Sequence, residues 1–190
     1  GPRPSVVRVN TVNASVERAR DARDAAGGGY DATDWHSGVL KLDERGPGTS
    51  WPYFHGWLHG QEEVSVLPAL ALDPQPGEVV WDACAAPGSK ATQLSALMDD
   101  QGVVIGNDNN LGRLSALRHN AERLGVTNLA VTNQDARNFS LKPFGDRTDA
   151  DERIEAFDRA LGDAPCSSVG VIRKTPDAVA EWSPSDVEGV

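Results

Sequence analysis

The chain has 190 residues, 39% of them hydrophobic, enough to bury one medium core or one core with a small appended module, but not two full-sized domains. Its 28 acidic against 18 basic residues leave a net charge of −10, which argues against a nucleic-acid partner because phosphate binding draws on Lys and Arg. There is no run of about 18 apolar residues and no charged-then-apolar secretory pattern, so a cytoplasmic protein without a membrane span is expected, as a monomer.

In chain order, residues 5–38 read as a short strand carrying Val6, Val7 and Val9, followed by a polar helix over 15–26 that Gly27, Gly28 and Gly29 stop. These belong to a small α+β module assigned to residues 1–50. The turn cluster Gly-Pro-Gly-Thr-Ser at 46–50 and the aromatic stretch at 51–57 act as a linker into an apolar helix over 62–72, which Asp-Pro-Gln-Pro-Gly at 73–77 ends.

From Val79 the pattern changes to short apolar runs alternating with helix-period segments. Strands are expected at 79–81, 103–106, 129–132 and 157–161, with helices at 89–98 and 111–124, the signal for βαβ units and a parallel sheet. The expected fold class is therefore α/β, a Rossmann-like sheet over residues 51–190 preceded by the small α+β module. A doubly wound sheet takes about three more strands, so the fold is expected to be cut short at its C-terminus.

The segment Asp-Ala-Cys-Ala-Ala-Pro-Gly-Ser-Lys at 82–90 joins a strand to a helix, the arrangement that holds a polar or charged cofactor at helix amides. With one glycine it matches neither the three-glycine dinucleotide fingerprint nor a P-loop, which disfavours NAD and ATP. Small residues Ala83, Ala85, Ala86 and Gly88 allow close backbone approach, Pro87 stiffens the turn, and Lys90 falls in the first helical turn. The bland alternative is a small-residue turn that only packs helix against sheet.

The next two strands also end in carboxylates. Asp108 stands where a ribose diol is commonly gripped, and Asp135 where an exocyclic amine such as that of adenine can be bound. Each alone is as readily a turn former or helix cap; three strands ending in Asp at one edge suggest an adenosine site. After the fourth strand, Gly-Asp-Ala-Pro-Cys-Ser at 162–167 sets Asp163 and Cys166 three residues apart on a loop at that edge. A thiolate is suited to adding to cytosine carbon 6, and a nearby acid to protonating or hydrogen-bonding the base. The alternative for Cys166 is a small buried residue.

Together, the 82–90 loop, Asn107 and Asp108, Asp135 and the Asp163-Ala-Pro-Cys166-Ser motif resemble, in order and spacing, the Nop/Sun family of RNA cytosine-5 methyltransferases. Residues 8–11 (Arg-Val-Asn-Thr) and Gln61, Glu62 and Ser65 extend the resemblance over nearly the whole chain. It implies S-adenosylmethionine as cofactor and RNA, tRNA or rRNA, as substrate. It assigns Cys84, Ala85, Ala86, Pro87, Gly88, Ser89 and Lys90 to the methionine end, Asp108 to the ribose, Asp135 to the adenine, and Asp163 to a place between cofactor and cytosine. Lys90 would also reach the reaction centre, and Arg113 falls where the family often has a basic residue near the cofactor. Catalysis is thus expected from Cys166, Asp163 and Lys90.

The family's attacking cysteine usually lies in a later Thr-Cys-Ser motif, the Pro-Cys cysteine helping product release; no such later motif occurs here, so a fragment is expected. The alternative is a non-catalytic RNA-binding or assembly protein that keeps the cofactor fold. Only four of the basic residues are Lys, and acidic runs such as 146–152 resemble a solvated surface, the bias expected of an organism with high internal salt. There the Debye length is only about 3 Å at 1 M, and an acidic surface would repel RNA weakly. His55 and His59, lacking a third ligand, are not expected to bind metal; Trp51, Tyr53, Phe54 and Trp57 are read as junction packing; Arg173 and Lys174 stand near Cys166, to touch phosphate or to serve the structure.

Overall fold

The computed structural model describes residues 5–43, 50–140 and 156–164, which form two four-stranded sheets. The first is antiparallel, in the order β2-β3-β1-β4, from β1 (Ser5–Val9), β2 (Tyr30–Ala32), β3 (Val39–Leu42) and β4 (Leu58–Gly60). The second is parallel, in the order β7-β6-β5-β8, from β5 (Val79–Asp82), β6 (Val103–Asn107), β7 (Leu129–Thr132) and β8 (Arg159–Leu161). Helices α1 (Val16–Ala25) and α2 (Trp51–Phe54) accompany the first sheet; α3 (Glu63–Leu72) packs against α4 (Ser89–Leu97) and β8, and α5 (Leu111–Arg123) crosses between β6 and β7.

β4 lies beyond the boundary expected at residue 50 and belongs to the first sheet. Val7 pairs with Gly60 and Val9 with Leu58, so the first sheet continues to residue 60 before the chain enters α3. The turn cluster that suggested a linker interrupts one sheet rather than ending it, and its residues 46–49 lie outside the described residues.

Each sheet has its own core. Val7, Val9, Leu40, Leu42 and Leu58 pack with Ala14 and Ala19 in the first, and Val80, Val104, Leu94, Met98, Leu114 and Leu117 with Ala69, Ala85, Ala86 and Ala91 in the second. In β1 the alternation of buried and solvated positions fails, because Arg8, on the face opposite Val7 and Val9, is itself only 4% exposed. That face is covered by the second unit: Asn10 and Asn13 donate to the Leu124 carbonyl beyond α5, and Arg123 to the carbonyls of Tyr53 and Leu58. Such pairing satisfies a helix C-terminus that would otherwise leave its carbonyls orphaned in the interior.

Local signals set the helix ends. Ser15 caps α1 by accepting from the Arg18 amide at 3.2 Å, and Asn110 caps α5 by accepting from the Arg113 amide at 3.1 Å. Asp73, in the left-handed region at φ 49°, stops α3 ahead of Pro74. Gly88 begins α4 at φ 109°, a backbone conformation that favours glycine, and a Cβ there would stand 2.8 Å from Leu117 Cδ1, which would have to shift. No helix among the described residues is long and apolar enough to cross a membrane.

Candidate functional site

The parallel order β7-β6-β5-β8 aligns the carboxyl ends of its four strands, and the residues just past those ends surround a cleft of about 500 Å3. Ala83 and Cys84 from the end of β5, Asp108, Asn109 and Arg113 from the turn after β6, Gln134 and Asp135 past β7, and Ala164 past β8 line it. A crevice outside the carboxyl ends of parallel strands is where open α/β sheets bind ligands.

Asn107 holds the rim together. Fully buried, it donates to the carbonyls of Ala83 at 3.1 Å and Gln134 at 2.8 Å, and accepts from Thr132 Oγ1 and the Gln134 amide. One side chain thus ties together the ends of three strands, a role that its position beside Asp108 in sequence does not reveal.

Asp108 is 2% exposed. Its Oδ1 accepts from the Asn110 amide at 2.9 Å; its Oδ2 is 3.2 Å from Arg113 Nη1 but makes no hydrogen bond among the described residues. Arg113 is otherwise engaged with the Ala86 carbonyl. Asp135 accepts a forked pair from Arg137, 2.6 Å at its shortest, and the backbone amide of the same residue. Those hydrogen bonds hold its carboxyl at about 2, an anion at any physiological pH. An amine reaching Asp135 must therefore share it with Arg137 or displace that side chain, which is almost wholly exposed.

Asp82 lies deeper. Both its oxygens are buried without a hydrogen-bond partner among the described residues, and burial first, then the charges of Asp163 and Asp108, raise it from 3.8 to about 7. The Cys84 amide and Lys90 ease the charge, the amide from a geometry short of a proper hydrogen bond. Because the folded protein keeps this proton where the unfolded chain has lost it, stability falls as pH rises from about 4 to about 7, by up to about 4 kcal/mol. Denaturant titrations at pH 4 and pH 8 are expected to show that difference shrinking in Asp82→Asn; an unchanged pH dependence would refute the assignment.

The other loop residues divide by depth. Ala85 and Ala86 point into the core, so only their backbone can serve a ligand; Pro87 is exposed and its carbonyl accepts from Asn120 at 2.9 Å. Burial, then Asp108 and Asp82, push the Cys84 thiol up, which makes it a neutral lining group rather than a nucleophile. Ser89 turns away from the cleft to His59, at 3.0 Å.

Lys90 meets Asp163 at 2.6 Å, joining the start of α4 to the loop after β8. A lysine in the first turn of a helix opposes the helix dipole, so stability alone does not account for its position. Cys166, Arg173 and Lys174 lie outside the described residues. His55 and His59 do not share a helix face: His55 follows α2 and stacks edge-on with Trp51, whereas His59 is buried in β4. Among the described residues no cluster of His, Cys, Asp and Glu could hold a metal.

Residues 69–190 match the family model described as 16S rRNA methyltransferase RsmB/F. Over 189 residues the chain is 33% identical to the ribosomal RNA small subunit methyltransferase F of Shewanella amazonensis, covering 97% of this chain and 38% of the relative. Over 193 residues it is 37% identical to the 26S rRNA (cytosine-C(5))-methyltransferase nsun-1 of Caenorhabditis elegans, covering 98% of this chain and 27% of that protein. The crystal structure of a methyltransferase homologue from Pyrococcus horikoshii superimposes with a TM-score of 0.75 at 32% identity, over 95% of this chain and 56% of that one. The chain thus spans less than half the length of these curated relatives.

Proposed function

Because the chain belongs to the RsmB/F family of rRNA methyltransferases, we propose that it carries the S-adenosylmethionine site and part of the reaction centre of an enzyme that methylates carbon 5 of cytosine in ribosomal RNA. The observation that carries the reading is the convergence of Asp82, Asp108 and Asp135 at one strand edge, with Lys90 and Asp163 paired beside them.

The residues fit the cofactor. Two carboxylates of the cleft, Asp108 and Asp135, each beside an arginine, offer acceptors suited to ribose hydroxyls and an exocyclic amine. Asp108 Oδ2, buried and facing the Arg113 guanidinium at 3.2 Å without a hydrogen bond among the described residues, has acceptor capacity left for a donor such as a ribose hydroxyl. The backbone at 84–88, with Gly88 at its end, would take the methionine end, Asp108 the ribose, and Asp135 the adenine in place of part of its Arg137 pair. When bound, the sulfonium supplies an electrophilic methyl group.

The reaction that the resemblance implies begins with the cysteine the family carries in a later Thr-Cys-Ser motif, and Asp163 and Lys90 of this chain would support it. A cysteine thiolate adds to carbon 6, forming a carbon–sulfur bond and pushing an electron pair toward carbon 5, which would take the methyl group; a general base then removes the carbon-5 proton, and the electron pair left behind expels the thiolate and restores the ring. Asp163, held by Lys90, would hydrogen-bond the base, and the Lys90 ammonium would offset the negative charge that develops on the ring. The resemblance places Cys166 at product release.

Methyl transfer is the test. Ribosomal RNA lacking its modifications, incubated with the protein and methyl-labelled cofactor and then digested to nucleosides, should yield label in 5-methylcytidine. Label in another nucleoside, or only in protein, would refute the assignment.

A further inference from the structure

Two chains of hydrogen bonds, one buried and one partly buried, run from the first sheet to the start of α4. In one, Arg123 at the end of α5 donates to His59 Nδ1 at 2.9 Å, and His59 Nε2 lies 3.0 Å from Ser89 Oγ. In the other, Arg8 donates to Thr92 Oγ1 at 3.3 Å, and Thr92 donates to the Gly88 carbonyl at 2.7 Å. Gln61, which accepts from Arg8 at 2.9 Å, also donates to Gln93 of the same helix at 2.8 Å. Arg8, His59, Gln61, Thr92 and Gln93 are each at most 5% exposed.

The chemistry fixes the direction of the first chain. An arginine only donates, so His59 Nδ1 must accept, the ring proton sits on Nε2, and Ser89 Oγ is the acceptor. Burial, with Arg8 and Arg123 nearby, holds the imidazole down at about 3, so it stays neutral and keeps that polarity. Arg123 is itself pinned by the carbonyls of Tyr53 and Leu58 and stacks 4.1 Å over Tyr53. The relay is thus held at both ends by rigid elements.

We propose that His59, with Arg123 behind it, is a positioning residue for the cofactor loop: through Ser89 it sets the first turn of α4, and with it the backbone at Gly88 and the reach of Lys90 toward Asp163. This rests on the S-adenosylmethionine reading above, and it makes the first sheet a supporting half of the cofactor site. A supporting hydrogen bond of this kind acts by holding its neighbour within a few tenths of an ångström of the productive geometry.

The test separates the two ring nitrogens. In His59→Asn the amide reaches only as far as Nδ1, keeping an acceptor for Arg123 and losing the donor to Ser89; in His59→Gln it reaches as far as Nε2 and keeps that donor. Calorimetric titration of the protein with S-adenosylmethionine should show His59→Asn weakened about tenfold, His59→Gln within about threefold of wild type, and similar losses of melting temperature in both. Ser89→Ala should reproduce the His59→Asn weakening, with the double variant no weaker than either single one; it carries the same test should His59→Asn fail to fold. Binding by Ser89→Ala and His59→Asn equal to wild type, equal weakening in His59→Asn and His59→Gln, or a 15N spectrum placing the proton on Nδ1 would overturn this inference alone. A wild type that takes no cofactor would overturn it together with the functional reading.

Discussion

Asp108→Ala is expected to raise the dissociation constant for S-adenosylmethionine about 100-fold, while Asp108→Asn raises it about tenfold. Asp108 is 2% exposed, with one oxygen committed to the Asn110 amide and the other free of any hydrogen bond among the described residues. A ribose diol offers two hydroxyl donors to such a carboxylate, each hydrogen bond to a charged group contributing about 1.5–3 kcal/mol, and tenfold in affinity is about 1.4 kcal/mol. Alanine removes the loop-ordering bond to Asn110 as well; asparagine keeps one acceptor of the same shape. Equal affinities for Asp108→Ala and wild type would mean that the ligand lies elsewhere.

Lys90→Met is expected to slow single-turnover methyl transfer by about 100-fold to 10,000-fold, the range lost with a group that supports proton transfer or charge in a transition state. Its effect on stability should be small: the partner Asp163 has a side chain 54% exposed, and exposed pairs contribute less than about 1 kcal/mol. Removing a cation from the positive end of a helix even relieves a small repulsion. Asp163→Asn should lose a comparable factor in rate, and the double variant little more than either, since the two act as a unit. Rates that fall only in step with melting temperature would make the pair structural.

The second sheet was legible because its strands carry apolar runs bounded by turns. The regions expected at 103–106 and 129–132 are found as Val103–Asn107 and Leu129–Thr132, and α4 and α5 each end one residue early, at Leu97 and Arg123. The strand expected at 157–161 begins at Arg159, and Phe157 ahead of it stacks on Trp81. The first sheet was mostly not legible: β2 and β4 have three residues each, too few to show a period of two, and Leu-His-Gly at 58–60 lacks the β-branched residues that mark strands.

The site divided the same way. Carboxylates following strands were readable, since parallel topology carries all strand ends to one edge. What a single sequence does not contain is who pairs with whom. Arg8 and His59 look like surface residues by type, and only the docking of the first sheet on α4 buries them. The near-neutral Asp82 depends on a depth that no local pattern encodes.

The central claim, that the cleft at the β5, β6 and β7 ends is a site for S-adenosylmethionine, is tested most directly by calorimetric titration of the wild-type protein with S-adenosylmethionine, S-adenosylhomocysteine and NAD. Saturable one-to-one binding of the first two and none of NAD is the predicted result; binding of NAD, or no binding of either adenosyl compound, would contradict it.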